Sequence, residues 1–457
     1  MDRANAISSA ERYFDSGAFQ ERLTRLVSLP TESQDSNRAD TLQRYLESEI
    51  RPWLETLGFT CTILPHPRAK SSFLFAERIE HAGYPTVFGY GHGDVVRGME
   101  SAWREGLSPW TVTCVGDRWY GRGTADNKGQ HALCIAALQS VLEVRGKLGF
   151  NAKFLIEMGE EVGSPGLREL CTDHHHRFQA DVLIASDGPR LTADRPTIFL
   201  GTRGVATFDL SIVARDGGHH SGNWGGVLSD PAIQLAHAMS TITSPTGRIA
   251  VAEWRPDGIP DSVRAVLKDF KIDSGPDGPI MDPEWGEPGL TPEEQVFGWC
   301  SFDVLAMRAG NPETPVNAVP PDAWARCQLR FVKGIDPEQI VPALRRHLAR
   351  HGWSGVTVEE VEEMSLATRL DPADPWVTWA AGSIARTTGK DPAILPNLGG
   401  TLPNDIFADV LGLPTIWVPH SYPGCQQHGP DEHLLAPLAR EGLAIMAGLY
   451  WDLGSRP

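Results

Sequence analysis

The chain has 457 residues, enough apolar side chains (41 %) for conventional cores, and 41 Lys and Arg against 58 Asp and Glu, a net charge of −17. That acidity argues against nucleic acid or an anionic membrane as a partner. No apolar run approaches the ~18 residues of a transmembrane helix or forms the core of a signal peptide, so a cytoplasmic protein is expected. The length exceeds the ~250–300 residues of a single core, which predicts at least two domains, and seven cysteines without any Cys-x-x-Cys spacing fit reduced thiols.

In chain order, residues 86–90 read as a buried strand running into Gly91-His92-Gly93-Asp94-Val95-Val96. His92 and Asp94 are two apart, so along a strand they point the same way, an imidazole ligand with a carboxylate to orient it. In Tyr120-Gly121-Arg122-Gly123-Thr124-Ala125-Asp126-Asn127-Lys128-Gly129, three glycines allow a tight turn before a helix over 130–141, so Asp126 is delivered from a loop at a helix start. After the strand-like run 154–156 come the adjacent acids Glu160 and Glu161. Neighbouring carboxylates repel unless a cation divides their roles, most simply as one metal ligand and one base for a metal-activated water. Residues 182–187 form another buried strand with Asp187 at its end, and a strand over 415–418 leads to the loop carrying His428. Four strands thus release a potential ligand at the carboxyl end, where open α/β sheets place their sites.

The set comprises two histidines, three carboxylates and a spare glutamate, with no cysteine. Such N/O donors suit Zn²⁺, with Mn²⁺ or Co²⁺ as alternatives, and an aspartate able to bridge suggests two divalent ions. By contrast His174-His175-His176 reads as a solvated loop, because three consecutive side chains cannot converge from one regular element. Cys425, three residues before His428, reads as a bystander thiol.

Beyond the Asp187 strand the pattern changes to strand 207–213, helix 231–243, strand 302–307, strand 325–332, helix 337–351 and strand 356–361, a βαββαβ unit. A Pro/Gly-rich segment, 245–295, interrupts it, and the earlier strand-and-helix pattern resumes near 367. This predicts an α/β fold with a discontinuous catalytic domain, 1–203 and 367–457, and an inserted domain, 204–366.

These blocks resemble the co-catalytic metallopeptidase family that includes carboxypeptidase G, aminoacylase, succinyl-diaminopimelate desuccinylase and carnosine dipeptidase, its dipeptidase-like branch in particular. The resemblance spans about 20–450 and rests on five ordered motifs. It implies a zinc-peptidase-like catalytic domain and a ferredoxin-like inserted domain that acts as lid and dimerisation module. His92, Asp126 and Asp187 become the ligands of one ion, and Asp126, Glu161 and His428 those of the other. Glu160 becomes the general base, and Asp94 the carboxylate behind the liganding histidine. His220, in His219-His220-Ser221-Gly222-Asn223, falls where the family has a histidine that reaches the neighbouring subunit's site and stabilises the oxyanion, which leaves His219 as scaffold. Asn317 and Arg330 match substrate-contacting positions, Arg330 being suited to a carboxylate. Gly400 and Thr401, in Gly399-Gly400-Thr401-Leu402-Pro403, match a block presenting N–H groups and a hydroxyl to the substrate's carboxylate. Two departures lie beside the ligands: Arg97 where many members have proline, and His428-Gly429-Pro430-Asp431-Glu432-His433 in place of the commoner His-Ser-Pro-Asn-Glu.

The expected function is hydrolysis of an amide bond in a small carboxylate-bearing substrate, a dipeptide or N-acyl amino acid, by a homodimer. The alternatives are hydrolysis or deamination of another C–N bond (ureido, carbamoyl, amidine or amine) on the same centre, and a metal-dependent scaffold without turnover. The intact Glu160 argues against the last.

Overall fold

Apolar and aromatic runs bounded by turns form strands covered on both faces. In the computed structural model, which describes residues 2–272, 280–361 and 363–455, Thr86–His92 and Asn151–Glu157 are such strands and pair in parallel. Gly89 lies opposite Phe154, and a Cβ at Gly89 would come within 2.4 Å of that ring. The pairing therefore needs glycine there.

Two compact units are formed, one from Met1–Gly201, Leu370–Leu395 and Leu402–Pro457, the other from Thr202–Arg369 and Pro396–Thr401. The first holds an eight-stranded mixed sheet in the order Thr60–Leu64, Phe73–Arg78, Asn151–Glu157, Thr86–His92, Val182–Ala185, Thr415–Trp417, Thr197–Phe199, Ala393–Leu395. Its third to sixth strands run parallel to one another. Their carboxyl ends therefore open at one edge, and residues just beyond them share a site.

Behind that edge, helix Lys128–Arg145 is buried along most of its length, the polar Lys128, Gln130, His131 and Ser140 included. It packs against Arg3–Asp15 and Ala436–Leu453. Its one buried cation, Lys128, donates to the carbonyls of Leu26 (3.0 Å) and Leu29 (2.7 Å). At its start, a Cβ on Gly129 would sit 2.0 Å from the Thr124 carbonyl oxygen, which explains a glycine immediately after the Asp126 turn.

In the second unit an antiparallel sheet has the order Ser301–Ala309, Asp322–Phe331, Gly204–Val213, Thr357–Glu360. Helices Pro231–Ile242 and Ile340–Arg350 are the crossovers. Along Asp322–Phe331 every second residue is buried, the period-two signature of a sheet with one covered face. Ala323, Ala325, Cys327, Leu329 and Phe331 point into a core shared with Leu235, Trp254 and Leu344. On the other face Arg326 grips its cross-strand neighbour Asp209 through two bonds of 2.9 and 3.1 Å.

Among its described residues the segment 245–295 carries regular structure. It contributes helices Asp261–Leu267 and Pro292–Gly298 and buries Trp254, whose indole N–H donates to the Ile340 carbonyl at 2.9 Å. Residues 273–279 of that segment lie outside the described residues. The histidine run is also not a loop: His175–Phe178 is a helical turn, and the His174 ring stacks on Phe178 at 5.6 Å. Aromatic contact within the segment favours that turn. All seven cysteines are free. Among the described residues no helix is long and apolar enough to cross a membrane.

Candidate metal centre

Six side chains meet at the open edge of the parallel strands. His92 ends its strand, Asp126 comes from the glycine-rich turn, Glu160 and Glu161 form a single 3-10 turn after Asn151–Glu157, Asp187 follows Val182–Ala185, and His428 lies on the loop after Thr415–Trp417. They make two triads, His92–Asp126–Asp187 and Asp126–Glu161–His428, in each of which one donor atom per residue lies within 4.8 Å of the others. Asp126 is common to both. Its Oδ1 is 3.1 Å from His92 Nε2 and its Oδ2 3.1 Å from His428 Nε2. His428 Nε2 is also 3.1 Å from Glu161 Oε2, and Asp187 Oδ2 lies 3.5 Å from His92 Nε2.

Asp94 is completely buried and connects the ligands to the acid pair. Its carbonyl oxygen lies 3.1 Å from His92 Nδ1 and its carboxylate 3.4 Å from the same atom, while its two carboxylate oxygens accept the backbone N–H groups of Glu160 and Glu161 at 3.2 Å each. With Nδ1 facing oxygen, Nε2 turns toward the carboxylates.

Four carboxylates this close cannot all be ionised without cations. Burial would depress His92, but the carboxylates of Asp126, Asp187 and Asp94 raise it well above the usual imidazole value. His428 is lifted to about 11 by its bonds to Asp126 and Glu161. Burial, reinforced by the neighbouring acids, pushes Glu160 well up, Glu161 to about 7 and Asp187 upward. Asp126, opposed by burial, is nevertheless held low by the two histidines. Protons thus supply the positive charge that the donor set calls for. Glu161 Oε1 and Asp187 Oδ2 are buried with no hydrogen-bond partner, atoms that a cation would satisfy. The residues fit two divalent ions.

The remaining candidates lie in the second unit, in two groups. His220 sits on a short strand paired with Ala318, and Ser221 N–H donates to the Asn317 carbonyl at 2.9 Å, so His220 and Asn317 are neighbours, both exposed. Arg330 Nη1 donates to Thr401 Oγ1 at 2.8 Å, with Gly400 adjacent. The block 399–401 belongs to this unit rather than to the first.

Sequence reasoning left several supporting residues unassigned. Asn127 Oδ1 takes the His92 N–H (3.3 Å) while its amide donates to the Ser186 carbonyl (2.8 Å), tying two ligand-bearing strands together. Gln427 Nε2 donates to Asp126 Oδ2 at 3.0 Å. Arg122 and Glu432 form a buried ion pair at 2.6 Å. Asn127, Arg122 and Glu432 stand inside the recognised blocks and Gln427 just before one, but their partners are up to 310 positions away, and nothing local announces them.

A mixed α/β sheet that gathers two histidine–carboxylate triads around a shared aspartate defines a metal-dependent hydrolase. The chain belongs to peptidase family M20/M25/M40, whose model matches residues 89–452. It is 33 % identical over 388 residues to the beta-Ala-His dipeptidase of Rattus norvegicus, covering 81 % of this chain and 77 % of that one. It is 27 % identical over 405 residues to the cysteinylglycine-S-conjugate dipeptidase of Corynebacterium striatum, covering 84 % of each. The fold matches that of human carnosine dipeptidase 1 with a TM-score of 0.79 at 21 % identity, over 98 % of this chain and 99 % of that one. An M20 metallo-carboxypeptidase of Sulfolobus solfataricus also scores 0.79, at 22 % identity over 96 % of this chain and 99 % of the other.

Proposed function

We propose that this protein is a dipeptidase, hydrolysing the amide bond of a small substrate whose product side carries a free carboxylate. The observation that carries this reading is the pair of triads sharing Asp126, with Glu160 beside them and outside both. Similarity to two dipeptidases supports the substrate class. His92, Asp126 and Asp187 would hold one divalent ion and Asp126, Glu161 and His428 the other, with Zn²⁺ in first place by donor type and Mn²⁺ or Co²⁺ as alternatives. Bound there, the ions would supply Lewis acidity toward water and the scissile carbonyl. Glu160 takes the proton of the attacking water and returns it to the leaving nitrogen, a contribution typically worth ~10²–10⁴-fold. Asp94 fixes the His92 ring and the Glu160 backbone. Arg330, Thr401, Gly400 and Asn317 receive the substrate's carboxylate end, and His220 stabilises the oxyanion.

The same reading makes the second unit a lid and dimerisation domain in a homodimer that works in the cytoplasm. Its sheet ends on Ser301–Ala309, an edge strand whose six central residues are exposed, among them Val304, Leu305 and Met307 at 45–54 %. An apolar open edge invites a second strand, and a second copy of the chain supplies one.

Metal-reconstituted protein offered dipeptides, N-acyl amino acids and ureido or carbamoyl compounds should release amino acids from dipeptides fastest. Ammonia release in preference to amino-acid release would move the assignment to another C–N bond. No turnover on any class with saturating Zn²⁺, Mn²⁺ or Co²⁺ would refute it.

A further inference from the structure

Glu432 is fully buried, as is its partner Arg122, and it is committed twice over. Its Oε1 accepts three backbone N–H groups of the glycine-rich turn, from Gly123 (3.0 Å), Ala125 (3.0 Å) and Asp126 itself (3.1 Å). Its Oε2 receives Arg122 Nη1 at 2.6 Å, and the other arm of that guanidinium donates to the Arg97 carbonyl at 3.1 Å. Glu432 stands four residues after His428. One side chain therefore joins the loop that carries Asp126 to the loop that carries His428.

The His428 loop needs such a tie. Gln426, His428 and Asp431 all have positive φ, at 58°, 61° and 62°, the left-handed region that non-glycine residues rarely occupy. Backbone of this kind persists where the surroundings over-determine it. Asp431 is pinned by Arg104, which reaches it through its backbone N–H at 3.0 Å and its Nε at 2.6 Å. Glu432 supplies the buried anchor. The other triad has a separate brace, Asn127, which takes the His92 N–H and holds Ser186, next to Asp187.

We propose that Glu432 is a positioning residue that sets His428 against Asp126 and so builds the second of the two ion sites, leaving the first to its own brace. This rests on the assignment of Asp126 and His428 as ligands. The test uses paired variants in which no buried charge is left alone. Arg122→Met/Glu432→Gln keeps a carbonyl acceptor for the three N–H groups, and Arg122→Met/Glu432→Leu removes it. Calorimetric Zn²⁺ titration against a competing chelator, with the unfolding temperature of each metal-free variant recorded alongside, separates positioning from stability. The Gln pair should bind two ions within about threefold of wild type. The Leu pair should bind the second ion at least tenfold more weakly and lose less on the first, which shares Asp126 but keeps the Asn127 brace. Equal binding of the second ion by both pairs, or equal weakening of both ions in the Leu pair, overturns the proposal. A wild-type chain that takes up only one ion at saturation removes the two-ion reading instead, and the proposal with it. Hydrogen exchange on the metal-free wild type needs no variant: the amides of Gly123, Ala125 and Asp126 should be strongly protected, and exchange at free-loop rates overturns the anchor.

Discussion

Glu160 Oε2 stands 4.0 Å from His92 Nε2, a carboxylate that faces the donor cluster and belongs to neither triad. Burial and the neighbouring acids favour a proton on it in the metal-free protein. A group so placed is free to exchange protons, while Glu161, one residue on, is engaged by His428.

Glu160→Gln should therefore keep both ions and lose kcat by about a hundredfold or more, the scale of one acid–base contribution. Metal analysis beside steady-state kinetics checks this. Stoichiometric loss of an ion in the variant would make Glu160 a ligand.

Asp126 offers one oxygen to each triad, so Asp126→Ala should release both ions, whereas His92→Ala and His428→Ala should each empty mainly one site. Elemental analysis after dialysis decides it. Two ions retained in Asp126→Ala would sink the shared-aspartate geometry.

His131, which is not one of the ligands, provides a pH prediction. It is fully buried, with Nδ1 3.0 Å from Asn127 Oδ1 and Nε2 2.8 Å from the Tyr45 hydroxyl, contacts that a neutral ring satisfies by donating from Nδ1 and accepting at Nε2. Burial, with His92 and Lys128 nearby, pushes it down to about 3. Its unfolded imidazole takes a proton near pH 6.5, so its contribution is complete above that pH. It is lost as the pH falls toward 3, at about 1.4 kcal/mol per unit. His131→Gln, which keeps one donor and one acceptor, should flatten the fall of the metal-free protein's unfolding temperature between pH 6.5 and 4.5. Parallel curves for the two proteins would refute this.

If His220 completes the site of the partner subunit, mixing inactive Glu160→Ala chains with inactive His220→Ala chains should restore part of the activity. A mixed dimer then contains one site with both residues intact. Isolated mixed dimers without activity, or a fully active monomer, would restrict His220 to its own chain.

Much of this was legible along the chain because the relevant signals are local. A strand that is apolar on both faces announces itself within five to seven residues, and a histidine or carboxylate just past its end is set at the sheet edge by strand direction alone. His92, Asp187 and the Glu160–Glu161 turn could be placed that way. The alternation in Asp322–Phe331 likewise marks a half-covered strand without any knowledge of its neighbours. The helical turn at His175–Phe178 was not legible, because it depends on a ring contact rather than on a pattern.

The sequence by itself therefore determined which donors stand at strand ends and the order in which they arrive. Only the tertiary structure decided that Asp126 would turn one oxygen to His92 and the other to His428, 34 and 302 residues away. It also decided that Arg330 would meet Thr401, and that Glu432 would close on the N–H groups of a turn some 306 positions earlier. The reason is physical: periodicity and strand direction act over one or two turns of chain, while the partner of a buried polar atom is chosen by the packing that excludes water around it, and any distant residue that packing delivers can serve.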